Sequence, residues 1–176
     1  MIRLLGLFGM LLQGNTYVLL KTEGILQTQA QGLFPRIWSI FVSLYLVASL
    51  ATYIVIPTLF TNYIKYPILY LVPLLAIGGI LWAPLAVKAS NYGYAFLASS
   101  LAIAGMILTL AVDLFPNLVP ALDPRLSLTI YNSASSQLTL KTMLIIALSG
   151  VPIVLFYTIY VYRVFKGKVS LVNNGY

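Results

Sequence analysis

The chain has 176 residues, 61% of them hydrophobic and 7% charged, with a mean hydropathy of +0.98 and a formal net charge of +7. A charged fraction so far below the roughly 25% of soluble domains excludes a water-exposed globular core. The basic residues are spread over loops and helix ends rather than gathered in one block, which suits membrane topology and argues against a nucleic-acid partner.

Five long apolar runs follow one another, each near the ~20 residues that cross a hydrocarbon layer of roughly 30 Å. The first covers residues 2–20. Arg3 beside Met1 raises the question of a signal peptide, but no small-residue cleavage site follows, and Gln13, Gly14 and Asn15 lead into more helix. A polar stretch from Lys21, Thr22, Glu23 and Gly24 to Pro35 and Arg36 reads as a loop. The second run covers residues 37–64 with Pro57 inside, and the third residues 67–87 with Pro73 and Pro84 inside. Such prolines are tolerated where neighbouring helices satisfy the freed carbonyls. A short turn from Lys88 to Gly93 leads to the fourth run, residues 94–115, which Pro116 and Pro120 stop. After a loop of about twenty residues, the cap-forming Asn132, Ser133, Ser135 and Ser136 precede the fifth run, residues 137–165.

These runs describe one all-α polytopic membrane domain over residues 1–176. Small residues four apart allow close helix approach: Ser39/Ser43 and Ala48/Thr52 in the second run, Gly79/Ala83 in the third, Ala98/Ala102 and Ser100/Ala104 in the fourth, with Gly6, Gly9 and Gly14 in the first. The fifth is bulky around most of its circumference, from Leu144 to Phe156. A four-helix transmembrane bundle plus one peripheral transmembrane helix is therefore expected. With the C-terminus cytoplasmic, Lys21, Arg36, Lys88, Arg163, Lys166 and Lys168 lie inside and Arg3, Lys65, Arg125 and Lys141 outside, six against four of the ten basic residues. The cluster from Arg163 to Lys168, directly at a helix end, favours that orientation. Tyr63, Tyr66 and Tyr70 at one boundary and Tyr157, Tyr160 and Tyr162 at the other read as interfacial anchors rather than electron relays.

The sequence has no histidine and no cysteine. Haem iron is normally held by His, Met or Cys and iron–sulfur clusters by Cys thiolates, so the isolated Met10, Met106 and Met143 are the weak axial ligands left to consider. Neither a catalytic residue set nor a metal site is expected. Asp113 is the one acid inside an apolar run. It reads as a wetted helix-end carboxylate, paired with Arg125, in preference to a proton or cation entry point. Gln13 and Asn15 are polar groups deeper in the first helix, expected to hydrogen-bond across helices, with a quinone headgroup as the alternative partner. Lys21 and Glu23, two residues apart, do not face one another on a helix and read as helix-end charges.

The run Ser135-Ser136-Gln137-Leu138-Thr139-Leu140, then Val151-Pro152-Ile153-Val154-Leu155-Phe156-Tyr157-Thr158, then Phe165-Lys166-Gly167-Lys168, resembles the C-terminal signature of subunit II of cytochrome bd-type quinol oxidases. Gln13-Gly14-Asn15-Thr16-Tyr17, Lys21-Thr22-Glu23-Gly24, Ala95-Phe96-Leu97-Ala98-Ser99-Ser100 and Leu114-Phe115-Pro116-Asn117 agree with it. The resemblance covers essentially the whole chain but only the second half of the family's subunit, helices five to nine of nine.

That resemblance implies a haem-free subunit of a quinol:oxygen oxidoreductase in an aerobic respiratory chain. Such a subunit supports assembly and oxygen or proton access, while haem b and haem d on the partner, subunit I, serve quinol oxidation and oxygen reduction to water. The chain would then be a non-catalytic part of an enzyme complex in the bacterial plasma membrane, in contact with quinol or quinone and lipid, with a structural quinone as a further possible ligand. The family's acidic proton-route residues lie chiefly in its first half, and none carries over to this sequence. The alternatives are one repeat half of a small secondary transporter, which the scarcity of polar residues in the runs disfavours, and an assembly or scaffold protein without a redox partner.

Overall fold

The computed structural model describes residues 2–55, 61–119 and 127–164. They form helices α1 (Ile2–Lys21), α2 (Ile25–Val55), α3 (Thr61–Lys65), α4 (Leu71–Lys88, preceded by a 3-10 turn over Pro67–Tyr70), α5 (Tyr92–Leu114) and α6 (Gln137–Val164), with a small ribbon of β1 (Asn117–Val119) and β2 (Leu128–Thr129). The chain divides into two compact units, one holding the described residues up to Phe115 and the other those from Pro116 onward.

In the first unit, α1 packs on α2 and α5, α5 on α4, and α2 closes onto α4. Leu5, Leu12 and Leu19 are buried on α1; their spacing of seven residues places them on one stripe. Ala30, Phe34 and Phe41 of α2 bury against the same core. The second membrane helix begins earlier than the sequence suggests: the stretch expected as a loop as far as Pro35 and Arg36 is helical from Ile25. Gly24, at φ +71°, makes the reversal and its carbonyl accepts the amide of Thr28 at 3.1 Å. Two side-chain bonds then hold the early turns on α1, Asn15 Nδ2 donating to Ala30 O at 3.0 Å and Gln27 Nε2 to Leu19 O at 3.1 Å. Pro35 costs that helix one bond and does not end it, because tertiary packing outweighs local preference. Residues 56–60, with Pro57, lie outside the described residues.

The antiparallel α4–α5 pair is the tightest contact. A Cβ on Gly79 would stand 2.5 Å from Ala102 N and 2.6 Å from Ala98 O, and one on Gly105 2.6 Å from Ala76 N. The helices meet backbone to backbone at both places. Ala76, Ala83, Ala98 and Ala102 fill the seam and are buried. The Gly79/Ala83 and Ala98/Ala102 pairs are thus used as expected, whereas Ser39 and Ser43 are exposed and donate to the carbonyls of Pro35 (2.7 Å) and Ser39 (2.9 Å) in their own helix. Ala104 is also exposed, and Gly6 and Gly14 have open space where a Cβ would stand. A Schellman turn ends α4: Ser90 at φ 55° donates to Val87 O and Asn91 to Ala86 O at 2.9 Å.

Pro84 inside α4 removes the amide that would have bonded Ile80 O. Trp38 of α2 replaces it, its indole Nε1 donating to Ile80 O at 2.9 Å. One bond therefore both satisfies the proline's orphaned carbonyl and ties α2 to α4.

In the second unit, β1 pairs antiparallel with β2, and Ile130 N donates to Pro116 O at 3.0 Å. The stretch expected as a plain loop thus carries a short ribbon at its described ends. Asn132 braces it, accepting from Thr129 N at 2.7 Å and donating to Ser127 O at 3.0 Å. Ser136 caps α6 by accepting Thr139 N at 3.3 Å, as the run of cap-forming residues suggested. None of the residues of α6 is buried.

Four helices are long and apolar enough to cross a membrane: Ile25–Val55, Pro67–Lys88, Tyr92–Leu114 and Gln137–Val164. The 20-residue α1 is not among them, because Gln13, Gly14, Asn15 and Thr16 interrupt its apolar run.

Candidate functional site

Polar side chains gather at two places in the helices of the first unit. The first lies where α1 meets α5. Gln13 Nε2 donates to Ser100 Oγ at 2.7 Å, and the hydroxyls of Thr16 and Ser99, both fully buried, share a hydrogen bond of 2.9 Å. Ser100 in turn donates to Phe96 O at 2.8 Å. The expectation that Gln13 and Asn15 bond across helices holds, Gln13 toward α5 and Asn15 toward α2. The Thr16–Ser99 pair was not foreseen, although Thr16 follows Gln13 by three residues and so shares its face. Gln13 Oε1 and Asn15 Oδ1 are buried without a hydrogen-bond partner. Both are acceptors, while each amide nitrogen gives one of its two protons away, Gln13 to Ser100 Oγ and Asn15 to Ala30 O.

The second place is a cavity of about 370 Å³ between α2, α4 and α5, with Leu5 of α1 and Tyr63 of α3 in its wall. Tyr63, 2% exposed, donates to Asp113 Oδ1 at 2.7 Å. Tyr70 lies against it with ring centroids 5.2 Å apart. Asp113 is therefore a partly buried, hydrogen-bonded group on a cavity wall rather than the freely wetted helix-end carboxylate expected; Arg125, its expected partner, lies outside the described residues. Tyr63 is buried against the bundle, whereas Tyr66 and Tyr70 are exposed. No spacing rule links Tyr63 to Asp113, because the contact depends on how α3 folds back onto α5.

Among the described residues no cluster of His, Cys, Asp or Glu could hold a metal ion. Of the candidate thioethers, Met10 and Met143 are exposed, and Met106 lines the cavity with no nitrogen or sulfur ligand facing it. These residues do not fit a haem iron.

Long apolar helices tied by small-residue seams and a few hydrogen bonds define an all-α polytopic membrane protein. The sequence profile of cytochrome bd terminal oxidase subunit II matches residues 1–165, and the chain belongs to that family. It is 41% identical over 112 residues to the probable cytochrome oxidase subunit 2 of Haemophilus influenzae, a match covering 63% of this chain and 30% of that protein. It is 36% identical over 110 residues to the cytochrome bd-I ubiquinol oxidase subunit 2 of Escherichia coli K12, covering 62% and 29%. With the cytochrome bd ubiquinol oxidase subunit 2 of Bacillus subtilis it shares 27% over 159 residues, covering 89% and 46%. The chain therefore matches less than half the length of each of these relatives.

Proposed function

We propose that this chain is a haem-free, non-catalytic part of a cytochrome bd-type quinol:oxygen oxidoreductase in a bacterial plasma membrane. In this reading the haems b and d belong to subunit I, quinol is oxidised and oxygen reduced there, and the present chain supports assembly and the access of oxygen or protons. The family match over residues 1–165 carries the proposal. The residue inventory supports it, with no histidine or cysteine from which a redox centre could be built. Family membership also displaces the alternative of a transporter repeat.

The rigid part suited to a supporting role is the four-helix ring, with its glycine seam and its Trp38 tie. For α6 we propose an outward role, in contact with the haem-bearing subunit or lipid and with its C-terminus on the cytoplasmic side. Its bulky apolar residues, such as Leu148 (66% exposed) and Phe156 (74%), leave a face that water would not cover. Cysteine pairs introduced between α6 and subunit I test this. They should crosslink in the assembled oxidase, whereas exclusive crosslinks into the centre of the chain's own bundle would rule the arrangement out.

A further inference from the structure

Residues 63–70 carry a joint and a fastening. Pro67 disfavours the helical conformation at the residue before it, and Tyr66 is extended, at φ −132° and ψ 87°. Helix α3 therefore cannot run on into the turn over Pro67–Tyr70, and one non-helical residue joins the two. A five-residue helix is not stable by itself, and α3 makes its extensive contacts among the described elements with that following turn. Of residues 63–68, Tyr63 alone is buried, at 2% exposure. Ile64, Lys65 and Tyr66 are exposed, and Lys65 Nζ stands 5.5 Å from the centre of the Tyr66 ring rather than toward the cavity. Tyr63 instead reaches into the bundle, donating to Asp113 Oδ1 at 2.7 Å and laying its ring against Tyr70.

What lies behind this fastening is polar. Tyr45, Ser49 and Thr52 stand at successive turns on one face of α2 and line the cavity, together with Thr109 and Asp113 of α5 and the Tyr63 and Tyr70 hydroxyls. Thr52 and Thr109 donate to Ala48 O and Gly105 O of their own helices, and Ser49 bonds Tyr45. From α1 and α4 the cavity takes the apolar Leu5, Pro73 and Ile77. Asp113 is in the last turn of α5 and Thr109 one turn further in, about 6 Å at 1.5 Å per residue. The Tyr63–Asp113 bond thus sits between the hydroxyl-bearing wall and the helix ends, where water begins. Short segments with few buried contacts are the ones that open locally while the rest of a fold stays shut.

We propose that α3 is a hinged strap, jointed at Tyr66 and fastened by Tyr63 to Asp113, which shuts the helix-end side of the cavity against water and, when it lifts, wets the wall of Tyr45, Thr52 and Thr109. Lifting needs no change in the bundle, because α4 begins beyond the joint, at Leu71. In the open state water replaces the Tyr63 hydroxyl at the Asp113 carboxylate. The strap does not depend on the oxidase assignment.

The absence of native cysteine makes the chain suited to thiol labelling. The test uses the protein as isolated from membranes, with whatever partners accompany it, in nanodiscs that leave both faces accessible. A charged, membrane-impermeant maleimide is added, and modification of this chain is followed by mass spectrometry. Thr109→Cys should label more slowly than a cysteine at the exposed Thr28 beside the α1–α2 reversal. Adding Tyr63→Phe, which keeps the ring and removes the hydroxyl, should speed labelling at position 109 roughly tenfold, the effect of one charge-assisted hydrogen bond. Asp113→Asn, whose amide oxygen still accepts but carries no charge, should give a rate between the two. Ser99→Cys, fully buried where α1 meets α5, should stay unlabelled in every background. Labelling of Thr109→Cys as fast as Thr28→Cys without a second change, an unchanged rate with Tyr63→Phe, or equal acceleration at Ser99→Cys would each overturn the proposal. Should the Tyr63→Phe protein not fold, Asp113→Asn decides alone, and an unchanged rate there overturns it.

Discussion

Replacing Trp38 by Phe removes the indole N–H and leaves Ile80 O without a donor, because Pro84 has no amide to offer. An unsatisfied buried acceptor costs about 1–3 kcal/mol, while interhelical hydrogen bonds in membranes couple by about 0.6 kcal/mol on average and about 1.7 at most. The hydrogen bond is thus worth about 1 kcal/mol, and the smaller ring of Phe loses some packing besides. The two contributions separate in a second background. Pro84→Ala restores an amide four residues after Ile80, so the carbonyl no longer needs the indole. Trp38→Phe should then cost about 1 kcal/mol less in the Pro84→Ala protein than in wild type, a coupling above the 0.3–0.5 kcal/mol within which independent sites add. Reversible unfolding followed by steric trapping in mild detergent or bicelles measures all four proteins. Equal costs of Trp38→Phe in the two backgrounds would refute the claim that the indole substitutes for the missing amide.

The glycine seam makes a second prediction: Gly105→Ala, whose Cβ would meet Ala76 N at 2.6 Å, should destabilise the protein by about 1–3 kcal/mol. Gly78→Ala, with nothing within 4 Å, should be neutral or slightly stabilising in the same unfolding assay. Ser99→Ala and Thr16→Val each remove the same interhelical hydrogen bond while the remaining hydroxyl keeps its own-helix carbonyl, Gln13 O for Thr16 and Phe96 O for Ser99, so the two single costs should sum to more than the cost of the double variant; strict additivity in unfolding would contradict the pairing. A charge at mid-α6, Leu148→Lys, carries a membrane-insertion cost of about 2.5–3.5 kcal/mol. It should reduce recovery of assembled oxidase, and unchanged recovery by size-exclusion chromatography would count against an apolar environment for that face. The purified chain alone should give a flat reduced-minus-oxidised visible spectrum; a stoichiometric haem band would contradict the ligand inventory.

Much of the helical content was legible because apolar run length is a direct physical requirement of a bilayer. Gly79, Ala83, Ala98 and Ala102 were legible for a similar reason, since residues four apart share a helix face. Gly105 was not singled out, although it follows Ala98 by seven residues and Ala102 by three and so shares their face; that Ala76 lies opposite it depends on how α4 and α5 align. The early start of α2 was missed because Gln27, Thr28 and Gln29 look like a loop until Asn15 and Gln27 are seen bonding across to the adjacent helix. The candidate site was legible only in part. Gln13 and Asn15 could be picked out as polar groups in apolar surroundings, and Asp113 as the one acid in a run. That Asp113 accepts from Tyr63, fifty residues away, depends on the fold of α3, which propensity does not encode.

Co-purification from one membrane tests the central claim most directly. The tagged chain is expressed with subunit I and the remainder of subunit II of a cytochrome bd oxidase, extracted in mild detergent, and its visible spectrum recorded across the elution profile. The account predicts haem b and haem d absorption eluting with the chain in fixed ratio. Recovery of folded chain free of every oxidase subunit, with substrate uptake when it is placed in liposomes, would contradict it.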